Sequence, residues 1–200
     1  MANWIVGHQR FASDDTKKKE PYVCFPKSSG RSTNGSMNKE QPMVRAAGLG
    51  DLDVLVAGNL ALAEETERVR LDADTLRQGI RALLESRAPG RYWVAELEGR
   101  VVGQLLITFE WSDWRNRMVW WIQSVYVMPN VRGRGVLRTL YDATRREALA
   151  SGSGGLRLYV DTTNVRAQKV YAALGMSGDH YRVFEEMFAE PLSSADISDR

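Results

Sequence analysis

The sequence predicts one α/β (α+β) domain, in which a central mixed, mostly antiparallel sheet is flanked by helices. Three observations predict it. Two apolar stripes at helical spacing lie between residues 51 and 88. Three strand-like runs joined by hairpin-type links follow. The order then changes to strand, glycine turn, helix, strand and short helix. Composition agrees: of 200 residues, 44% are hydrophobic and 26% charged, as in an ordinary globular chain. No apolar run reaches the roughly 18 residues needed to cross a bilayer, so no membrane partner is expected. The single Cys24 permits no internal disulfide framework, which fits a cytoplasmic, reducing setting and argues against cysteine chemistry.

Residues 1–42 are rich in Ser, Lys, Asn and Gly and lack an apolar period, so they read as a disordered basic tail. Lys17, Lys18 and Lys19 could form a nuclear or organellar address, but Asp14 and Asp15 beside them fit a solvated charge run better. The domain is expected over residues 43–190, with a flexible tail over 191–200. Met43 to Ala47 reads as a first strand. Asp51 can cap a helix carrying Leu52, Leu55, Val56, Leu60 and Leu62. Asp72 or Asp74 opens a second helix, with Leu76, Ile80, Leu83 and Leu84 as its buried stripe, before Ala88-Pro89-Gly90 stops it.

Tyr92 to Leu97 and Val101 to Glu110 flank the dipeptide Glu98-Gly99 and read as a hairpin. Met118 to Met128 is apolar on both faces, as a central strand requires. Strict alternation would put Val119, Trp121, Val125 and Val127 on one face and Trp120, Ile122, Tyr126 and Met128 on the other. After Pro129 and the turn Arg132-Gly133-Arg134-Gly135, a helix begins at Val136. Leu156 to Asp161 reads as a strand and Val165 to Leu174 as a short helix, with Gly175 in a left-handed cap. Met176 to Phe188 supplies one or two further strands.

The net charge of +2 conceals an asymmetry. Seven basic and four acidic residues lie in the first 42, leaving twenty basic and twenty-one acidic beyond. A near-neutral body offers no broad field for phosphate backbones, so nucleic acid is not the expected partner. The turn at Arg132 to Gly135 is different. Its glycines bend the backbone so that successive N–H groups face one way, the helix after it starts with unsatisfied amides, and Arg132, Arg134 and Arg138 add positive charge. Such a place suits a phosphorylated cofactor. No lysine follows either glycine, so it is no P-loop, and Arg138 stands where a dinucleotide fingerprint needs its third glycine. No His/Cys/Asp spacing resembles a metal site.

From these residues onward the sequence resembles the GCN5-related N-acetyltransferase (GNAT) superfamily, over roughly Met43 to Phe188. The family's Arg/Gln-x2-Gly-x-Gly/Ala signature maps onto Arg132, Gly135 and position 137, where Leu137 stands in the small-residue place. Asn164, Ala167, Tyr171 and Gly175 reproduce its Asn-x2-Ala-x3-Tyr-x3-Gly spacing. The resemblance implies acetyl transfer from acetyl-CoA to a primary amine of a small molecule, by direct attack in a ternary complex and with no metal. A peptide or protein amine, or a module that binds CoA without catalysis, are the other readings. It implies that Val125, Tyr126 and Val127 offer backbone groups to the pantetheine arm. Gly133, Arg134, Gly135, Val136, Leu137 and Arg138 would take the pyrophosphate, Asn164 would bond the arm, and Tyr171 would protonate the departing thiolate. Homodimers are frequent in the superfamily.

Tyr126-Val127-Met128-Pro129 with Trp111-Ser112-Asp113-Trp114 is more narrowly similar to the diamine acetyltransferases, of the spermidine/spermine type. Their Glu-Asp pair is Gln123-Ser124 here, and a neutral amide cannot act as a base or balance a cation. Glu110, with Glu64, Glu65 and Glu67 between the first two helices, is the expected compensation as proton acceptor and amine attractor. Trp111 and Trp114 are the candidate aromatic wall of the acceptor site. His180 reads as structural.

Overall fold

The computed structural model describes residues 41–66, 68–86, 88–178, 182–184 and 186. Both expected tails, Cys24, Glu67 and His180 lie outside the described residues. Among the described residues five strands form one sheet in chain order: β1 (Met43–Ala46), β2 (Gly90–Leu97), β3 (Arg100–Ser112), β4 (Arg117–Val127) and β5 (Leu156–Arg157). The first four pair antiparallel and β5 pairs parallel to β4. Helices α1 (Leu52–Thr66) and α2 (Ala73–Ser86) join β1 to β2. Helix α3 (Val136–Ala150) makes the crossover from β4 to β5, and α4 (Val165–Ala173) follows β5. No described helix is long and apolar enough to cross a membrane.

The sheet's two faces carry separate cores. Leu52, Leu55, Val56 and Ile80 of α1 and α2 pack on Tyr92 and Val94. On the opposite face Val136, Leu140, Tyr141 and Ala148 of α3 pack on Ala95, Leu105, Ile107, Trp120 and Ile122. Period-two alternation along β3 sends Gln104 and Leu106 to the first face and Leu105 and Ile107 to the second. The Glu98-Gly99 turn has φ of 51° and 70°, the doubly left-handed turn that a two-residue hairpin demands.

Several expectations are corrected. Asp51 does not cap α1. It ends a short 3-10 turn, Leu49–Asp51, and its carboxylate takes the Gly48 N–H at 2.8 Å and a two-pronged contact from Arg45, 2.8 Å on each oxygen. That pairing holds its pKa below the ordinary carboxylate value. Asp72 is the residue that caps α2, accepting from Thr75 N at 2.8 Å. Strand β5 stops at Arg157 instead of Asp161, and the described residues between 176 and 186 contain no strand.

Strict alternation in β4 also fails, for an identifiable reason. Leu106 pairs with Ser124 and Ile107 with Ile122, so Gln123 is an extra residue in β4, a β-bulge. Beyond it the faces exchange. Val125 and Val127 pack with Trp120 and Ile122 on the α3 core, and Tyr126 turns to α1.

Candidate active site

The bulge is where the sheet opens. β5 meets β4 only at Trp120 with Leu156 and Trp121 with Arg157. From Gln123 to Val127 the β4 edge that faces β5 therefore has no strand partner among the described residues. An unpaired strand edge is a row of donors and acceptors ready for an extended ligand.

At the far end of that edge lies the glycine turn. Gly133 and Gly135 hold φ of 78° and 84°, in the left-handed region glycine enters without steric cost. Gly135 is the residue before α3 and has no side chain to cap the helix. The first α3 amide to find a backbone acceptor is that of Thr139, which bonds Gly135 O at 3.0 Å. The N–H groups of Val136, Leu137 and Arg138 are thus the open helix start that anions favour. Val136 is buried beneath the turn and Leu137 is half-buried, while Arg134 is exposed. Gly103 of β3 lets this end of α3 sit close to the sheet: a Cβ there would stand 2.9 Å from Val136 Cγ1.

Arg132 is placed differently from its neighbours. Its Nε donates to Val127 O at 2.8 Å, one terminal nitrogen donates to Glu65 Oε2 at 2.6 Å, and its guanidinium lies 5.6 Å from the Tyr126 ring centre. The Tyr126 hydroxyl donates to the other Glu65 oxygen at 3.3 Å. A carboxylate in the last turn of α1 opposes the helix dipole unless a cation balances it, and Arg132 does so here. Arg132 is consequently a strap from α1 to β4. Arg138 reaches Ala173 O at the end of α4, at 3.4 Å.

The α1/α2 face of the bulge carries a connected polar patch. Gln123 donates to Thr108 Oγ1 at 2.7 Å and accepts from the Tyr159 hydroxyl at 3.1 Å. Glu110 accepts from the Trp121 indole N–H at 2.5 Å and from Arg157 at 2.8 Å, so both its oxygens are engaged. The Arg157 guanidinium lies 5.9 Å from the Trp121 ring centre, and the Trp121 and Tyr159 rings are 5.8 Å apart. The Ser124 hydroxyl is buried with no well-formed hydrogen bond.

Asn164 caps α4, its Oδ1 accepting from Ala167 N at 3.0 Å, which leaves its NH2 group available. Tyr171 is half-buried on α4; burial of its phenol raises the pKa above the ordinary tyrosine value, so it remains protonated through neutral pH. Gly175 holds φ of 87°, the left-handed conformation expected of it.

Other candidates lie apart. Trp111 and Trp114 are 56% and 76% exposed at the β3–β4 hairpin end. Trp111 pairs with Met118, five residues before Gln123 and so about 17 Å along the strand. The structure does not bring them to the bulge. Glu64 is exposed on α1. Arg157, Tyr159 and Thr108 were not singled out from sequence. The alternation Leu156, Arg157, Leu158, Tyr159 carried the signal, since Leu156 and Leu158 pack on the α3 core and leave the other two for the opposite face.

A family model described as the acetyltransferase (GNAT) family matches residues 59–176. The chain belongs to that family. In fold, this GNAT chain matches the crystal structure of a possible acetyltransferase from Clostridium difficile 630 with a TM-score of 0.70 and 37% identity, covering 76% of this chain and 100% of that one. It is 37% identical over 75 residues to a thialysine N-epsilon-acetyltransferase of Bos taurus, covering 38% of this chain and 44% of that protein. The match thus spans less than half of that curated relative. An aminoglycoside N-acetyltransferase solved in complex with CoA shares the fold at a TM-score of 0.64 and 16% identity, over 77% of this chain and 99% of that one. Among the described residues no His/Cys/Asp/Glu group could hold a metal ion.

Proposed function

We propose that this GNAT chain transfers an acetyl group from acetyl-CoA to the primary amine of a small molecule. The observation that carries the reading is the parting of β4 from β5 at the bulge, next to an open, arginine-flanked helix start. The unpaired β4 edge fits an amide-bearing pantetheine arm laid along Val125, Tyr126 and Val127, as an added strand would lie, with the Val127 carbonyl already taken by Arg132. The amides of Val136, Leu137 and Arg138, with Arg134, fit the pyrophosphate. Asn164 has an NH2 group left to bond the arm. A relative named for thialysine acetylation supports a small-molecule amine.

The chemistry asks little of the chain beyond position and charge. The neutral amine nitrogen bonds to the acetyl carbonyl carbon, a β4 amide near Val127 polarises the carbonyl oxygen, and the carbon–sulfur bond breaks. The sulfur takes its proton from Tyr171, whose burial keeps that proton in place until it is needed. Glu110, with both oxygens already engaged, serves as the counter-ion of Arg157, and the amine's proton leaves to water at the open face. A free-thiol assay with acetyl-CoA and a panel of amines tests the reading. Turnover with at least one amine, and a Tyr171→Phe variant slowed in kcat by about tenfold or more, is expected. No thiol release across the panel, with acetyl-CoA shown to bind, would refute catalysis and leave a binding module.

A further inference from the structure

The face of the bulge where an acceptor would lie is electrically balanced. The two carboxylates that reach β4 side chains there, Glu110 and Glu65, are each paired with an arginine, Arg157 and Arg132. Position 123 contributes a neutral amide and position 124 a hydroxyl. A polycation gains little from such a surface, because each negative charge is already matched within 2.8 Å.

Arg157 is the group with capacity to spare. Its side chain is 36% exposed, and only one of its N–H groups is spent on Glu110 among the described residues. A guanidinium presents five donors in a planar fork, so the rest remain for a second carboxylate. The Trp121 ring beneath it and the Glu110 oxygen beside it hold that fork in place. Arg157 pairs with Trp121, two residues before the bulge at Gln123, which sets the guanidinium's strand position about 7 Å from the place where β4 and β5 part. A spacer of three or four methylenes covers that distance.

We propose that Arg157 is a specificity-determining residue that binds the carboxylate of an amino-acid-type acceptor, whose side-chain amine then extends to the bulge. Glu110, whose oxygens are taken by Arg157 and the Trp121 indole, orients Arg157. The inference rests on the amine-acetylation reading above and goes beyond it by fixing the acceptor's second charged group.

Matched amines that differ only in the carboxylate provide the test: L-lysine against 1,5-diaminopentane, and L-ornithine against 1,4-diaminobutane, each with saturating acetyl-CoA and free thiol as readout. The carboxylated member of each pair is expected to have a kcat/KM at least about tenfold higher, the worth of a charge-assisted bond, with the difference in KM. Arg157→Gln should collapse that ratio to about one, while Arg157→Lys restores part of it. The methyl ester of lysine, assayed with the unaltered protein, should behave as the diamine does, which keeps the test independent of any folding defect in the variants. Diamines turned over as well as the amino acids, or a preference that survives Arg157→Gln, would overturn the proposal while leaving amine acetylation intact. Absence of turnover with every amine of a broad panel would overturn the acetylation reading as well.

Discussion

Replacing Gly135 by Ala separates the backbone of the turn proposed to bind the pyrophosphate from everything around it. A Cβ built there meets nothing within 4 Å, so the substitution introduces no clash. Its whole cost is conformational: at φ of 84° an alanine gives up about 1–2 kcal/mol relative to glycine. For a domain of this size that lowers Tm by about 2–8 °C if the turn keeps its shape. If the turn instead relaxes to negative φ, the amides of Val136 to Arg138 cease to converge, and losing one charge-assisted bond weakens acetyl-CoA binding by about tenfold or more. Asn at the same position tolerates left-handed geometry and is the control. Calorimetric titration of acetyl-CoA into the unaltered protein, Gly135→Ala and Gly135→Asn should give a loss of affinity with Ala and little change with Asn. Unaltered affinity in Gly135→Ala, together with a lowered Tm, would show that the turn is strained yet holds no pyrophosphate, and the site assignment would fall with it.

Asp51→Asn should cost about 1–2 kcal/mol by chemical denaturation, because the Arg45 guanidinium and Gly48 N–H lose a charged acceptor. The folded pKa of Asp51 is depressed, so its contribution is complete above the unfolded value and lost as pH falls through the folded one; the stability gap between the two proteins should close from about pH 4 downward. Glu65→Gln removes a half-exposed ion pair and should change stability by less than about 1 kcal/mol. It also frees Arg132 for the pyrophosphate, so acetyl-CoA should bind about two- to fivefold tighter at low salt, an advantage that fades as salt is raised. Trp114→Ala should leave kcat/KM within about twofold in the free-thiol assay, since its indole is 76% exposed at the hairpin end.

The elements with a strong period were legible in the letters. The apolar stripe of α2, the Glu98-Gly99 hairpin and the left-handed Gly175 all follow from local chemistry that the tertiary context does not alter. Asp51 was misread because a helix-capping residue and an arginine's partner look alike when the arginine is six positions upstream, on another element. β5 was overextended for a related reason: Leu158, Tyr159 and Val160 are good strand residues, but β4 has turned away by the time they arrive, and strand propensity without a neighbour makes no ladder.

The site shows the same division between local and non-local causes. The glycine turn and the Asn164 cap depend on backbone geometry and could be read from a few adjacent residues. The charge balance of the proposed acceptor face could not, because it depends on one extra residue in β4. Without the bulge, alternation would have put Tyr126 on the α3 core with Trp120 and Ile122, and Glu65 would have lacked the phenol that joins it to Arg132. With it, Gln123 meets Thr108 and Tyr159, Tyr126 meets α1, and Val125 and Val127 close the α3 core behind the open edge. The bulge therefore does two things at once: it gathers polar groups on the face proposed for the acceptor, and it adjoins the unpaired strand edge proposed for the acetyl donor. Any change that restored regular pairing, such as deletion of Gln123, should abolish acetyl-CoA binding and amine turnover together, even in a protein whose far-ultraviolet spectrum is unchanged. Loss of only one of the two would mean that the donor and acceptor sides do not share this hinge.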